Sequence, residues 1–193
     1  MKKRVAILIS GRGSNMRALI EAAAQKDYPA EIVLVISNVA DAGGLDFAKQ
    51  HGIATEVIAH GKFPSREIFD NAIDQRLEAA NADIVCLAGF LRLLSPRFTE
   101  KWRGRMINIH PSLLPAFKGL HTHRRALESG AKVHGCTVHF VEPELDSGPI
   151  ILQAEVRVQP GDDEDMLAAR VLAEEHRLYP QALRLVAEGK ARL

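Results

Sequence analysis

The chain has 193 residues, which suits one domain with a substantial buried core. Lys and Arg number 25 and Asp and Glu 24, so the formal net charge is +1, and no overall field would attract nucleic acid or an anionic membrane. Cys86 and Cys136 stand far apart, outside any paired-thiol or zinc spacing, which favours a reducing compartment. We therefore expect a cytoplasmic protein, a single domain over residues 1–193, and small-molecule partners.

The chain begins with MKKRVAILIS, which is basic and then apolar like a signal peptide. Its apolar run covers only residues 5–9, however, and a glycine turn follows at once. We interpret this segment as a first strand and expect neither an export signal nor a transmembrane span.

Short apolar runs then alternate with helical patterns. The predicted strands are RVAILIS, EIVLVIS, TEVIA, DIVCLAG and MINIH, and the predicted helices between them include NMRALIEAAAQ and SREIFDNAIDQRLEAA. Strands that are apolar on both faces and separated by helices are typical of a parallel sheet covered on both sides. The pattern predicts an α/β fold with a Rossmann-like, doubly wound, mostly parallel sheet.

The turn after the first strand, ISGRGSN, contains Gly11, Gly13, Ser14 and Asn15. Glycines let the backbone approach a ligand closely, and the free amides of the following helix favour a phosphate. The third glycine of a dinucleotide fingerprint and the Gly-Lys-Ser/Thr of a Walker loop are both absent. The turn therefore predicts a monophosphate site, and an ordinary turn capped by Ser14 is the alternative.

The fifth predicted strand places Asn108 and His110 on one face, because side chains at i and i+2 of a strand point the same way. Pro111 ends the strand, so His110 should lie at the carboxyl edge of the sheet, where the phosphate turn also opens. An imidazole exchanges protons near neutral pH and a carboxamide can donate to a developing oxyanion, which suits acyl transfer. Asp146, in EPELDSGPI, is a candidate partner for the imidazole; a purely structural Asn–His pair is the alternative.

Other chemistries have less support. The histidines that cluster in the sequence are His110, His121, His123, His134 and His139. A metal site is therefore an alternative, but the H-E-x-x-H spacing is absent and no Cys or carboxylate stands at ligand spacing nearby. No serine lies in a G-x-S-x-G elbow, and neither cysteine has activating neighbours. We expect no metal, and direct transfer between two bound substrates.

The pattern changes after Gly135. CTVHFVE and GPIILQAEVRV predict two consecutive strands whose connection is too short for a crossover helix, and so an antiparallel C-terminal extension of the sheet. A long C-terminal helix is predicted from Asp162 as N-cap until Pro180 interrupts it. Its buried stripe is predicted to contain Met166, Val171, Leu172 and Leu178.

Four segments together resemble one known family: GRGSN, LAGFLRLLSP, INIHPSLLPAFKGLHTH and HGCTVHFVEPELDSGPIILQ. They are similar to phosphoribosylglycinamide formyltransferases, the folate-dependent enzymes of purine biosynthesis, from the first strand to the last helix. The resemblance implies transfer of a formyl group from 10-formyltetrahydrofolate, as cosubstrate, to the amino group of glycinamide ribonucleotide.

The resemblance also implies roles residue by residue. Asn108, His110 and Asp146 match the family's catalytic positions. Its phosphate-binding and ribonucleotide-binding positions fall on Gly13, Ser14, Asn15 and Glu175. The residues expected near the folate are Arg66, Leu91, Arg92, Leu93, Leu94, Val141, Glu142, Pro143, Glu144 and Leu145.

Two other classes of function remain open. A methionyl-tRNA formyltransferase or a formyl-folate hydrolase would use the same donor, but each normally carries a further domain for which we expect no room, and the near-zero charge argues against tRNA. An α/β module that senses a phosphorylated metabolite would bind without turnover. The oligomeric state is also open, with a homodimer among the options.

Overall fold

A computed structural model describes residues 1–193. Its strands are β1 (Lys3–Ile9), β2 (Ala30–Ser37), β3 (Ala54–Val57), β4 (Ile84–Leu87), β5 (Met106–His110), β6 (Val133–Phe140) and β7 (Ile150–Arg157). They form one sheet in the order β3-β2-β1-β4-β5-β6-β7. The first five strands pair in parallel, whereas β6 runs antiparallel to β5 and β7 antiparallel to β6. The predicted mixed sheet is confirmed.

The helices are α1 (Ser14–Ala23), α2 (Gly44–Gln50), α3 (Arg66–Ala79), α4 (Pro96–Lys101), α5 (Thr122–Glu128) and α6 (Glu164–Ala187), with a 3₁₀ turn at His60–Lys62. Helices α1, α3 and α6 match predicted segments. The pattern did not reveal α2, α4 and α5, because six or seven residues are too few to show a helical period. None of the helices has the length and apolar character needed to span a membrane.

Apolar side chains form two cores, one on each face of the sheet. The larger core packs the sheet against α1, α2 and α6, and the smaller one packs it against α3 and α4. Along β1, Val5 and Ile7 point into the larger core while Ala6 and Leu8 point into the smaller one, and all four are fully buried. Burial on both faces explains why the predicted strands read as continuous apolar runs.

The N-cap of α6 lies one residue later than predicted. Asp163 is the cap, and its side chain accepts a hydrogen bond of 2.8 Å from the backbone N–H of Met166. Asp162 instead accepts from the backbone N–H of Gln159 at 2.7 Å and pairs with Arg170. Asp162 therefore closes the preceding turn, a task for which aspartate is equally suited.

Two further expectations for α6 are wrong. Pro180 does not interrupt the helix, which continues to Ala187, because a proline removes one backbone donor and the buried side chains of Ala182 and Leu183 hold the following turn. Met166 is 56% exposed, and its neighbour Leu167 is buried in its place. The prediction is correct for Val171 and Leu178, which are buried, while Leu172 is half-buried.

Candidate active site

A cleft with a volume of about 800 Å³ runs along the carboxyl ends of β4 and β5 and reaches α1 and α6. In a doubly wound sheet, ligands bind at this edge, where the strand order reverses; here the reversal lies between β1 and β4. A smaller hollow of about 550 Å³, between Arg103 and residues near Leu193, contains none of the predicted site residues. The larger cleft is therefore the candidate active site.

The glycine turn lies beside the cleft and reaches it through Asn15. Gly13 is the N-cap of α1 with a φ of 68°, and a Cβ there would lie 3.0 Å from Met16 Cε and 3.2 Å from Gly44 Cα. Glycine is needed both for the left-handed backbone and for this close approach. Ser14 is the first helical residue and caps nothing, so the alternative of a serine-capped turn is wrong. Of the predicted phosphate-binding residues, only Asn15 is among those lining the cleft.

Asn15 is joined to the last helix by a buried contact. Its Nδ2 donates a hydrogen bond of 2.6 Å to Oε2 of Glu175, whose residue is only 7% exposed. Burial raises the pKa of the Glu175 carboxyl, and the hydrogen bond from Asn15 partly offsets that effect. Asn15 Oδ1 is buried without a partner, so this end of the cleft keeps an unused acceptor. The predicted ribonucleotide residues Asn15 and Glu175 are thus brought together.

The three predicted catalytic side chains meet near the middle of the cleft. His110 Nδ1 lies 3.5 Å from Asp146 Oδ2, and both side chains are 7% exposed. Asn108, two residues before His110 on β5, lines the same cleft. Asp146 reaches them from the loop between β6 and β7, and its Oδ2 also accepts the backbone N–H of Gly119 at 2.8 Å. Two separate segments of the chain therefore supply one polar cluster.

Both ring nitrogens of His110 face protein acceptors. Nε2 lies 3.0 Å from the carbonyl oxygen of Phe117, and Nδ1 faces the Asp146 carboxylate. A carbonyl and a carboxylate can only accept, so each can hold a ring nitrogen that carries hydrogen. The two contacts fix the orientation of the His110 ring.

A fourth polar residue, His139, completes the cluster. It lies opposite Asn108 in the pairing of β5 and β6, and its Nδ1 is 2.8 Å from the carbonyl oxygen of Phe140. Nδ1 must therefore be the donor, which leaves Nε2 to accept the Asn108 amide N–H at 3.3 Å. Burial lowers the pKa of His139, against the opposing effects of the Phe140 hydrogen bond and of Asp146. A neutral His139 thus orients the Asn108 amide.

The loop that carries Asp146 packs closely against the backbone at the end of β6. Asp146 has a φ of 49°, in the left-handed region. Two residues later, a Cβ added to Gly148 would stand 1.8 Å from the carbonyl oxygen of Phe140. Only glycine permits the chain to pass there. This contact helps to fix the position of the loop, and so of the Asp146 carboxylate beside His110.

Two more histidine side chains contact each other near this cluster. His134 Nε2 and His123 Nδ1 lie 3.2 Å apart, with the rings edge to face. Burial, with smaller contributions from the nearby His123 and His110, lowers the pKa of His134 to about 4. No group of three or more His, Cys, Asp or Glu side chains is arranged to hold a metal ion.

The remaining wall of the cleft is largely apolar. The predicted folate residues that line it are Leu91, Arg92, Leu93, Leu94, Val141, Glu142, Pro143 and Leu145. Leu91 and Leu93 are 73% and 57% exposed, which is unusual for leucine unless it meets a ligand or partner. Arg66, an exposed residue at the start of α3, and Glu144, which pairs with Lys118 at 3.7 Å, are not among the lining residues.

Comparison with known proteins identifies the family. A model of the formyl transferase family matches residues 3–183. The chain belongs to the formyl transferase family.

Relatives within the family agree in sequence and in fold. The phosphoribosylglycinamide formyltransferase of Escherichia coli K12 is 48% identical, over 98% of this chain and 89% of that protein. The crystal structure of the phosphoribosylglycinamide formyltransferase from Brucella melitensis superposes with a TM-score of 0.93 at 55% identity, covering 97% of this chain and 96% of that one. The bovine trifunctional purine biosynthetic protein adenosine-3 is 53% identical, and the chain spans 19% of its length.

The candidate site also contains residues that the sequence analysis did not assign to it. The ones that line the cleft include Thr99, Gly119, Leu120, Thr122, His139 and Glu164. His121 and His123 also line the cleft, although the sequence analysis named them only as candidate metal ligands. The one signal for His139 was its place in a histidine-rich stretch, because the strand register that sets it opposite Asn108 cannot be read locally.

Proposed function

We propose that this chain transfers the formyl group of 10-formyltetrahydrofolate to the amino group of glycinamide ribonucleotide, as a phosphoribosylglycinamide formyltransferase. The convergence of Asn108, His110 and Asp146 in a cleft beside a glycine turn carries the proposal. The names of the bacterial relatives at 48% and 55% identity support formyl transfer to this ribonucleotide.

The ribonucleotide is proposed to bind at the end of the cleft formed by Gly13, Ser14, Asn15 and Glu175. The first amides of α1 suit its phosphate, since a helix N-terminus favours an anion. The buried Glu175 oxygens and the unpaired Asn15 Oδ1 offer acceptors for hydroxyl groups. This placement directs the glycinamide amine toward the middle of the cleft.

The folate is proposed to bind along the opposite wall. Leu91, Leu93 and Leu145 present apolar surface to a flat ring system, and all three are more than half exposed. Arg92, which lines the same wall, would meet the negative end of the folate. Arg66 and Glu144 remain proposed folate contacts, which would require the ligand to extend beyond the cleft.

The reaction is proposed to proceed by direct attack. The neutral amine of the ribonucleotide forms a bond to the formyl carbon, and the carbonyl oxygen becomes an oxyanion. The Asn108 N–H that His139 does not hold, together with protonated His110, would stabilise that oxyanion. A proton then passes from the attacking nitrogen to the folate nitrogen as the old carbon–nitrogen bond breaks, through His110 or through ordered water.

Asp146 is proposed to orient His110 and to stabilise the positive charge that the ring carries when it takes up a proton, as its contact of 3.5 Å with Nδ1 supports. The other nitrogen of the ring is held by the Phe117 carbonyl at 3.0 Å. For Nε2 of His110 to donate to the substrate oxygen, its hydrogen bond to the Phe117 carbonyl has to be exchanged for one to the substrate.

The biological setting is part of the same proposal. We infer a single catalytic domain over residues 1–193, a cytoplasmic location and no bound metal. The two buried free thiols, Cys86 and Cys136, are consistent with a reducing compartment. The oligomeric state stays open, with a homodimer among the options, and light scattering on the purified protein would measure it.

One assay tests the proposed function against its rivals. Purified protein is mixed with glycinamide ribonucleotide and 10-formyltetrahydrofolate, and the absorbance of released tetrahydrofolate is followed. We expect release that requires the ribonucleotide. Release without any acceptor would indicate a hydrolase, transfer only to methionyl-tRNA would indicate that enzyme instead, and binding of the ribonucleotide without release would indicate a sensor.

A further inference from the structure

Ser10 is hydrogen-bonded to the segment after β4 and lies directly before the glycine turn. It directly follows β1 and precedes the glycine turn, and β1 is the neighbour of β4 at the reversal of the strand order. The chain leaves these two strands toward opposite faces of the sheet, which is why a crevice opens between them. A residue that bonds across this crevice therefore connects the glycine turn, which follows β1, to the segment that follows β4.

Ser10 makes that link with both its backbone and its side chain. Its N–H donates to the carbonyl oxygen of Gly89 at 3.1 Å. Its Oγ accepts the backbone N–H of Leu91 at 2.8 Å. Leu91 is the first residue of the apolar folate wall, so the hydroxyl holds the beginning of that wall to the end of β1.

The Ser10 hydroxyl has a fixed orientation. It donates its own hydrogen to Oδ1 of Asn38 at 2.5 Å, and Asn38 is only 4% exposed. The Asn38 amide is held in turn, with Nδ2 3.2 Å from Nδ1 of His60. Because the hydrogen of Ser10 is committed to Asn38, its lone pairs remain directed toward Leu91.

The segment 91–94 has few other supports. None of its residues takes part in a backbone–backbone hydrogen bond. It is held at its start by Ser10 and just past its end by Asp70, whose Oδ2 accepts the Ser95 N–H at 2.6 Å. Loss of the Ser10 hydroxyl would therefore free the start of the folate wall while leaving its end fixed.

We propose that Ser10 is a positioning residue that couples the two substrate subsites, so that ribonucleotide bound at the turn tightens binding of the folate. This inference rests on the proposed function. A ligand seated on the glycine turn restrains the backbone next to Ser10, and the Ser10 hydroxyl, already held by Asn38, transmits that restraint to the Leu91 N–H. Coupling of this kind is reciprocal, so the folate tightens binding of the ribonucleotide by the same factor.

The test measures the affinity for tetrahydrofolate by calorimetry, with and without saturating glycinamide ribonucleotide; without a formyl group no reaction occurs. We expect the ribonucleotide to tighten binding about fivefold in the unmodified protein, the value of one net hydrogen bond. Ser10→Ala should abolish this factor, and Ser10→Thr, which keeps a hydroxyl, should restore it. Ser129→Ala removes a hydroxyl that bonds to Ala126 in α5 and should behave like the unmodified protein.

The inference is overturned if the ribonucleotide does not tighten tetrahydrofolate binding in the unmodified protein, or if it still does so in Ser10→Ala. If Ser10→Ala does not fold, Ser10→Cys offers the same shape with a weak acceptor and is expected to show the same loss. A protein that transfers formyl but shows no dependence of the factor on Ser10 refutes the coupling alone. A protein that binds neither ligand refutes the proposed function as well.

Discussion

Asn108 and His139 face each other across the antiparallel pairing of β5 and β6, with Nδ2 of Asn108 3.3 Å from Nε2 of His139. The Phe140 carbonyl occupies the other nitrogen of the ring, so His139 can serve only as an acceptor for the amide. This contact fixes the orientation of the Asn108 amide. In the catalytic role proposed above, the second N–H of Asn108 would be a donor in place before substrate arrives, which is how electrostatic stabilisation avoids a reorganisation cost.

Replacing His139 should therefore weaken catalysis without touching the reacting atoms. We expect His139→Phe, which keeps a ring but has no acceptor, to lower kcat about tenfold, the effect of about 1.4 kcal/mol of lost orientation. His51→Phe, at an exposed position, is the control. Steady-state turnover provides the measurement, and an unchanged kcat would show that the Asn108 amide orients without help.

Replacing Asn108 itself should lower turnover more than replacing His139 does. Loss of one oxyanion donor typically lowers turnover about 10²- to 10³-fold, and we expect that range for Asn108→Ala. Asn71→Ala, at an exposed position on α3, makes the same chemical change away from the site and should leave turnover unchanged. A decrease of less than about threefold would remove Asn108 from oxyanion stabilisation.

His110 and Asp146 should behave as a unit. His110→Ala and Asp146→Ala are each expected to lower kcat about 10²- to 10⁴-fold, with the fold retained by circular dichroism. The double variant should be no worse than the worse single variant, because residues that act together are not additive. Multiplying effects would mean that Asp146 acts independently of the imidazole.

A negative charge at the glycine turn should weaken binding of the ribonucleotide, because it repels the phosphate. Ser14→Asp is expected to raise the KM for the ribonucleotide at least about tenfold, since two like charges at close range near a protein surface repel by more than 1.4 kcal/mol. Ser14→Asn has a similar size and no charge, and separates charge from bulk. Equal KM values for the two variants would place the phosphate elsewhere.

The buried His134 should make the fold sensitive to acid. Its pKa is lowered from 6.5 to about 4, so between these values the unfolded chain binds a proton that the folded protein does not. Stability conferred by the neutral ring is present above pH 6.5 and is lost as the pH falls toward 4. In urea titrations across this window, His134→Gln should show a slope smaller by up to about 1.4 kcal/mol per pH unit. An unchanged slope would mean that His134 is protonated in the folded protein.

The sequence predicts those parts of the site that depend on local periodicity. Asn108 and His110 share a face because β5 is extended, and the glycine turn follows from its composition. The parts that depend on how strands pair were not predictable. The register of β6 places His139 in the cluster, and the order of β1 and β4 makes an ordinary serine, Ser10, a bridge.

The helices show the same limit. Short helices such as α2 and α5 have no period to detect, and their position depends on the strands they connect. Met166 fits the apolar pattern of α6, yet it is 56% exposed, whereas the next residue, Leu167, is fully buried. Tertiary packing decided both cases, and a window of the sequence does not contain that information.

Gly148 limits how far this architecture can diverge. A methyl group there would overlap the Phe140 carbonyl at 1.8 Å, so the path of the loop and the identity of this residue are inseparable. A distant homologue with any side chain at this position must carry its acidic residue on a differently routed connection. The letter at position 148 is therefore a simple marker for deciding, from sequence alone, whether a remote chain could present its carboxylate in the same way.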